Sequence, residues 1–142
     1  RIMKVLIAYA TKSGASRDCA EALASRFENA VLADLSKSSP SLEGFDAVVL
    51  GSGIRIGRAY RPARRFWKEN QTRLLEKPLA FYFCNAEPES FEKAVQRNIS
   101  QELMAHAVCV RSFGGIQPFS KSQTKEWMNR AAMEELAAAL VQ

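Results

Sequence analysis

Histidine is nearly absent from this chain, since His106 is the only one in 142 residues. A serine–histidine–carboxylate hydrolase has no evident base here, because His106 precedes a strand pattern and no GxSxG elbow occurs. His106 therefore reads as a structural histidine. Cys19, Cys84 and Cys109 are odd in number and lack CxxC spacing, which argues against a disulfide framework and against a zinc or other metal site. No apolar run approaches the roughly 20 residues of a membrane span, so no transmembrane segment is expected. Residues 1–10 hold one strand-like run without a cleavage-site pattern, and the expected location is cytoplasmic. The P-loop pattern GxxxxGK[ST] is missing, and Gly51, Gly53 and Gly57 lack the GxGxxG spacing of a dinucleotide fingerprint.

What is present is the composition of a soluble globular protein, 47% hydrophobic and 25% charged. One domain over residues 1–142 is expected. Residues 3–9 (MKVLIAY), 46–52 (DAVVLGS) and 79–84 (LAFYFC) are continuous apolar runs that read as strands buried on both faces. Residues 30–35 and 107–113 are weaker versions, as suits edge strands. Between them lie helical periods through Cys19, Leu23 and Phe27; through Ala63, Phe66, Trp67 and Leu74; through Phe91, Val95, Ile99 and Leu103; and through Trp127, Ala131, Leu136 and Leu140. Ser120 and Gln123 suggest a capping box for the last helix. Residues 36–44 read as a loop with at most a short helix. Strands alternating with helices imply βαβ units and a parallel sheet.

The most informative stretch joins the first strand to the first helix. Thr11, Lys12, Ser13, Gly14, Ala15 and Ser16 place three hydroxyls and a glycine where a helix start exposes backbone N–H groups and the positive end of its dipole. Such a loop suits a phosphate. The loop after the third strand, residues 51–58, is glycine-rich, and the loop after the fourth, Cys84 to Pro88, is small and polar. The net charge is +5, and Arg55, Arg58, Arg61, Arg64 and Arg65 cluster in a stretch without acids. The basic residues lack the aromatic interleaving that stacks bases, so no nucleic-acid partner is expected.

The segments KVLIAYATKSGASRDCAEALA, DAVVLGSGIRIGRAYRPARRFWKEN and LAFYFCNAEPE together resemble the flavodoxin superfamily. Within it, Ser52-x-Ile54-Arg55-x-Gly57 is most similar to the menaquinone-dependent protoporphyrinogen oxidase branch. The chain departs from that branch at Ile56, where an aromatic residue is favoured, and in a shorter segment from Asn85 to Gly114. The resemblance implies an α/β three-layer flavodoxin-like sandwich with a five-stranded parallel sheet in the order 2-1-3-4-5. A phosphoacceptor receiver shares that order but needs carboxylates where this chain has Tyr9-Ala10 and Gly51-Ser52.

It further implies FMN as cofactor, with Thr11, Lys12, Ser13, Gly14, Ala15 and Ser16 around the phosphate. Ser52, Gly53, Ile54, Arg55, Ile56 and Gly57 would border the ring, Asn85 and Ala86 its edge, and Phe113, Gly114 and Gly115 could reach the same edge. Electron-transfer flavodoxins are acidic around the flavin, so Arg55 and Arg58 here imply a better stabilised reduced ring and a higher potential. The same arginines could hold the carboxylates of a substrate. The implied activity is an FMN-dependent oxidoreductase resembling protoporphyrinogen dehydrogenases with a quinone acceptor. Its partners would be a small molecule such as a porphyrinogen and a quinone at a membrane surface. The alternative is an electron-transfer flavodoxin serving redox proteins.

Overall fold

A computed structural model describes residues 2–85, 88–115 and 126–142. The apolar run at the start forms β1 (Lys4–Ala10), which is buried over Val5–Ala10 because strands flank it on both sides. It pairs in parallel with β2 (Asn29–Asp34) and with β3 (Ala47–Arg55), in register Val5 to Ala30 and Val5 to Ala47. A two-residue strand β4 (Arg58–Ala59) turns back antiparallel on the end of β3. Parallel pairing continues through β5 (Leu79–Cys84) to β6 (Cys109–Ser112). The sheet order is β2-β1-β3-β5-β6, with β4 beside β3. Without β4, this is the expected 2-1-3-4-5 arrangement.

Helices cover both faces. On one side α1 (Ala15–Ala24) and α6 (Arg130–Leu140) pack on Val5, Ile7, Val49 and Tyr82. On the other, α2 (Arg61–Glu69), α3 (Gln71–Leu74), α4 (Phe91–Asn98) and α5 (Gln101–His106) pack on Leu6, Val48, Leu50, Phe81 and Phe83. Trp67 meets Phe81 edge-on with ring centroids 5.2 Å apart. Burying each such ring contributes roughly 1.5–3 kcal/mol. Edge strand β2 leaves Val31 and Leu32 exposed, which explains its weaker apolar pattern. The connection from β2 to β3 contains no helix, and the buried Leu42 anchors it to the core.

Several helical expectations are corrected. The period through Ala63 and Leu74 is not one helix, because Asn70 (φ −110°, ψ 15°) ends α2 and its amide donates to the Phe66 carbonyl. The period through Phe91 and Leu103 also divides, since Ser100 caps α5 by accepting from the Leu103 N–H. The last helix begins at Arg130 with Asn129 accepting from the Ala132 N–H, so Trp127 precedes it. Ser120 and Gln123 lie outside the described residues, and α6 starts too late for them to cap it. The fifth parallel strand spans only Cys109–Ser112, because Ala107 still caps α5. His106 is held through Nε2 by the Lys77 carbonyl at 2.6 Å.

Candidate functional site

The helices that follow β1 and β3 pass to opposite faces of the sheet, so the chain parts above these two strands and leaves a crevice at their carboxyl ends. Three connections meet there.

The first is the loop from Thr11 to Ser16. Gly14 sits at the N-cap of α1 with φ 93°, a left-handed conformation that disfavours any side chain. Thr11 Oγ1 accepts from the Gly14 N–H at 2.9 Å and shapes the turn. Among the described residues, no side chain caps α1. Its first-turn N–H groups therefore offer donors that an anion can satisfy, and the residues present fit a phosphate monoester there. Lys12 and Ser13 are exposed at the rim. Ser16 is buried, with its hydroxyl 3.4 Å from that of Tyr82, which donates to the Ser16 carbonyl at 2.9 Å. Burial first, then the nearby Cys84, holds the Tyr82 hydroxyl well above the ordinary tyrosine range, so it remains a donor.

The second connection follows β3. Ser52 is buried, donating to the Gly53 carbonyl at 2.7 Å and accepting from the Tyr60 N–H at 3.0 Å. That hydroxyl fastens the start of α2 to the end of β3. Ile54 is half-buried, Arg55 and Arg58 face each other across the β3–β4 pair, and Ile56 and Gly57 form the two-residue turn between them. Both turn residues have positive φ, 51° and 73°. Glycine adopts this readily, whereas a β-branched residue is strained there. Ile56 is 88% exposed, so its side chain stands off the crevice. From α4, Asn98 pins the turn: its Oδ1 accepts from the Ala59 N–H at 2.9 Å, and its Nδ2 donates to the Gly57 carbonyl at 3.0 Å.

The third connection follows β5. Asn85 is buried and donates to Ser90 Oγ at 3.0 Å, while Ala86 lies outside the described residues. Cys84 donates to Cys19 Sγ at 3.5 Å. That bond, with burial, holds the Cys84 thiol well above its usual range and keeps it protonated and unreactive. Phe113 does not reach the rim, because it is fully buried and stacks on Tyr82 at 4.6 Å and 7°.

Tyr60 links the loops and was missed in the sequence. Its ring lies against Gly53, where an added Cβ would come within 2.7 Å of the hydroxyl, and Lys12 Nζ stands 5.0 Å from the ring centre. Burial raises its pKa, the nearby Cys84 adds to this, and Arg55 opposes it. The available signal was an aromatic residue just before the Arg61-Pro62 helix start. Concavity alone would have misled, since a cleft of about 680 Å³ lies outside the crevice between Ser36, Ser38, Ser39 and α2.

With this geometry established, comparison with known families is informative. A family model described as the flavodoxin domain matches residues 6–138. The chain belongs to the flavodoxin domain family. It is 36% identical over 96 residues to the protoporphyrinogen IX dehydrogenase [quinone] of Escherichia coli (strain K12), covering 64% of this chain and 53% of that protein. The chain thus spans about half the length of the curated relatives it matches. Among solved structures, a short-chain flavodoxin associated with a non-canonical PDU bacterial microcompartment superposes with a TM-score of 0.72 at 15% identity, covering 99% of this chain and 97% of that one. A flavoprotein in complex with FMN from Lactobacillus acidophilus NCFM gives 0.61 at 18% identity, covering 78% and 93%. Among the described residues of this flavodoxin-family chain, no helix is long and apolar enough to cross a membrane, and no cluster of metal-binding side chains occurs.

Proposed function

We propose that this flavodoxin-family protein binds FMN non-covalently in the crevice and is an FMN-dependent oxidoreductase that oxidises a porphyrinogen-class substrate with a quinone as acceptor. The observation that carries the cofactor reading is the uncapped N-terminus of α1, whose loop reaches Tyr60 through Lys12. FMN, when bound, supplies the electron and hydride chemistry. The protein's residues bind and orient it. Thr11 holds the loop, the α1 amides would receive the phosphate, and Ser52 fixes the Gly53 backbone at the end of β3. Tyr60 screens that side from water.

The substrate reading rests on the 36% identity to a protoporphyrinogen dehydrogenase and on the basic hairpin. Arg58 in β4 and Arg61 at the start of α2 stand exposed, where their guanidinium forks can hold paired carboxylates. Titration of the purified protein with FMN and with riboflavin tests the first part, with FMN expected to bind at least tenfold more tightly. A porphyrin fluorescence assay on the FMN-loaded protein with several quinones tests the second. A second reading, an electron carrier for protein partners, is favoured by the near full-length match to a short-chain flavodoxin. Absence of porphyrinogen oxidation with every quinone would select it.

A further inference from the structure

The turn between β3 and β4 spends conformational energy to present an apolar side chain to water. Ile56 occupies a left-handed position at φ 51° that asparagine or glycine fills at lower cost, and its side chain is 88% exposed. The turn is not loose, because Asn98 holds both of its sides. Cations surround it. Arg55 and Arg58 flank the apex, and Arg97 Nη1 lies 3.2 Å from where a Cβ on Gly57 would stand. The surface continues along α2, whose exposed Arg61, Arg65 and Lys68 are spaced i, i+4, i+7 on one stripe about 10 Å long. Arg61, Arg64, Arg65 and Lys68 line an open cleft of about 340 Å³ without a carboxylate.

No acid stands between Asp46 and Glu69 in the sequence. Among the described residues, Arg65 with Glu69 at 3.1 Å is the one ion pair in this patch. The cations are close enough to repel: after burial, Arg58 and Arg61 are what lower the Arg64 pKa. Such crowding is relieved by an extended negative surface. An apolar residue at the tip of a rigid, convex, basic projection matches the boundary between lipid headgroups and acyl chains.

We propose that the β3–β4 turn and the outer stripe of α2 dock this protein on an anionic lipid bilayer, with Ile56 entering the interface and Arg65 and Lys68 meeting lipid phosphates. The docking rests on its own surface. Its link to catalysis, bringing the crevice to a membrane-held quinone, rests on the reading under Proposed function.

Co-sedimentation of the FMN-loaded protein with vesicles tests it. Binding is expected to phosphatidylcholine–phosphatidylglycerol vesicles, to weaken with salt, and to be absent on pure phosphatidylcholine. Arg65→Gln with Lys68→Gln should weaken it roughly thirtyfold, equivalent to about 1 kcal/mol per cation, with the flavin absorbance unchanged. Ile56→Ser should weaken it several-fold without altering the salt dependence. Equal binding to both vesicle types, or an unaffected double variant, overturns the proposal. So does a preference for single-stranded DNA or an acidic protein over the mixed vesicles. Turnover with a water-soluble quinone but no vesicle binding removes the docking alone; vesicle binding without turnover removes the catalytic reading alone.

Discussion

The two loops that frame the crevice are built on opposite plans. The loop after β1 works through its backbone: its glycine is left-handed, its helix start is uncapped, and its inner hydroxyl, Ser16, turns away toward Tyr82. The hairpin after β3 works through side chains, with exposed arginines on a strained turn that a distant helix clamps through Asn98. A neutral backbone cradle holds an anion at little desolvation cost, whereas a cationic arm tunes charge and reaches outward. Binding should therefore fail when the first loop is changed, and charge-dependent properties should shift when the second is changed.

The largest expected effect is on the first loop. Gly14→Val places a β-branched residue at φ 93°, with its Cβ 2.8 Å from Arg17 Nη2. FMN affinity should fall by at least 100-fold in calorimetric titration, while circular dichroism still reports the native helix content. A smaller change in affinity would move the phosphate away from α1.

Next comes the clamp. Asn98→Ala removes the bonds to Ala59 and Gly57 and leaves the Ala59 N–H without its partner. It should cost about 1–3 kcal/mol and lower the melting temperature by roughly 3–10 °C, with a weaker effect on FMN affinity than Gly14→Val. Equal losses from both variants would erase the contrast between the loops.

The charge of the second loop is sharpened by Arg55→Glu. If Arg55 borders the flavin, replacing this cation by an anion should lower the midpoint potential, because the added electron meets a less positive field. A change of about 1 kcal/mol corresponds to roughly 40 mV for one electron, readable by spectroelectrochemistry. An unchanged potential would remove Arg55 from the cofactor's surroundings.

The smallest effect is a gain. Ile56→Asn makes an Asn-Gly turn, for which both positive φ values are favourable, and should stabilise the fold by about 0.5–1 kcal/mol in chemical denaturation. A loss of stability would mean that Ile56 is not strained.

Much of this protein was legible in its sequence because the signals are local. Continuous apolar runs marked the central strands, since a strand covered on both faces has no polar side to show. The turn that leaves the start of α1 uncapped was readable because its glycine and hydroxyls are consecutive in the chain. Other features depend on partners distant in the chain. Asn98 secures a turn whose Gly57 lies 41 residues earlier in the chain, and nothing in its neighbourhood marks it for that role. Phe113 looked available to the rim, yet the side of β5 that carries Tyr82 decides that its ring stacks in the core. The helix breaks at Asn70 and Ser100 escaped a periodicity that runs through both, because side-chain capping interrupts the backbone without disturbing the apolar face. By itself, the chain determined which segments are buried and where an anion can meet a helix start, since both follow from residue type and adjacent backbone. Tertiary structure decided that Tyr60 covers Gly53, that Ser16 faces inward and that the arginines share one surface, because those arrangements depend on which strands lie side by side.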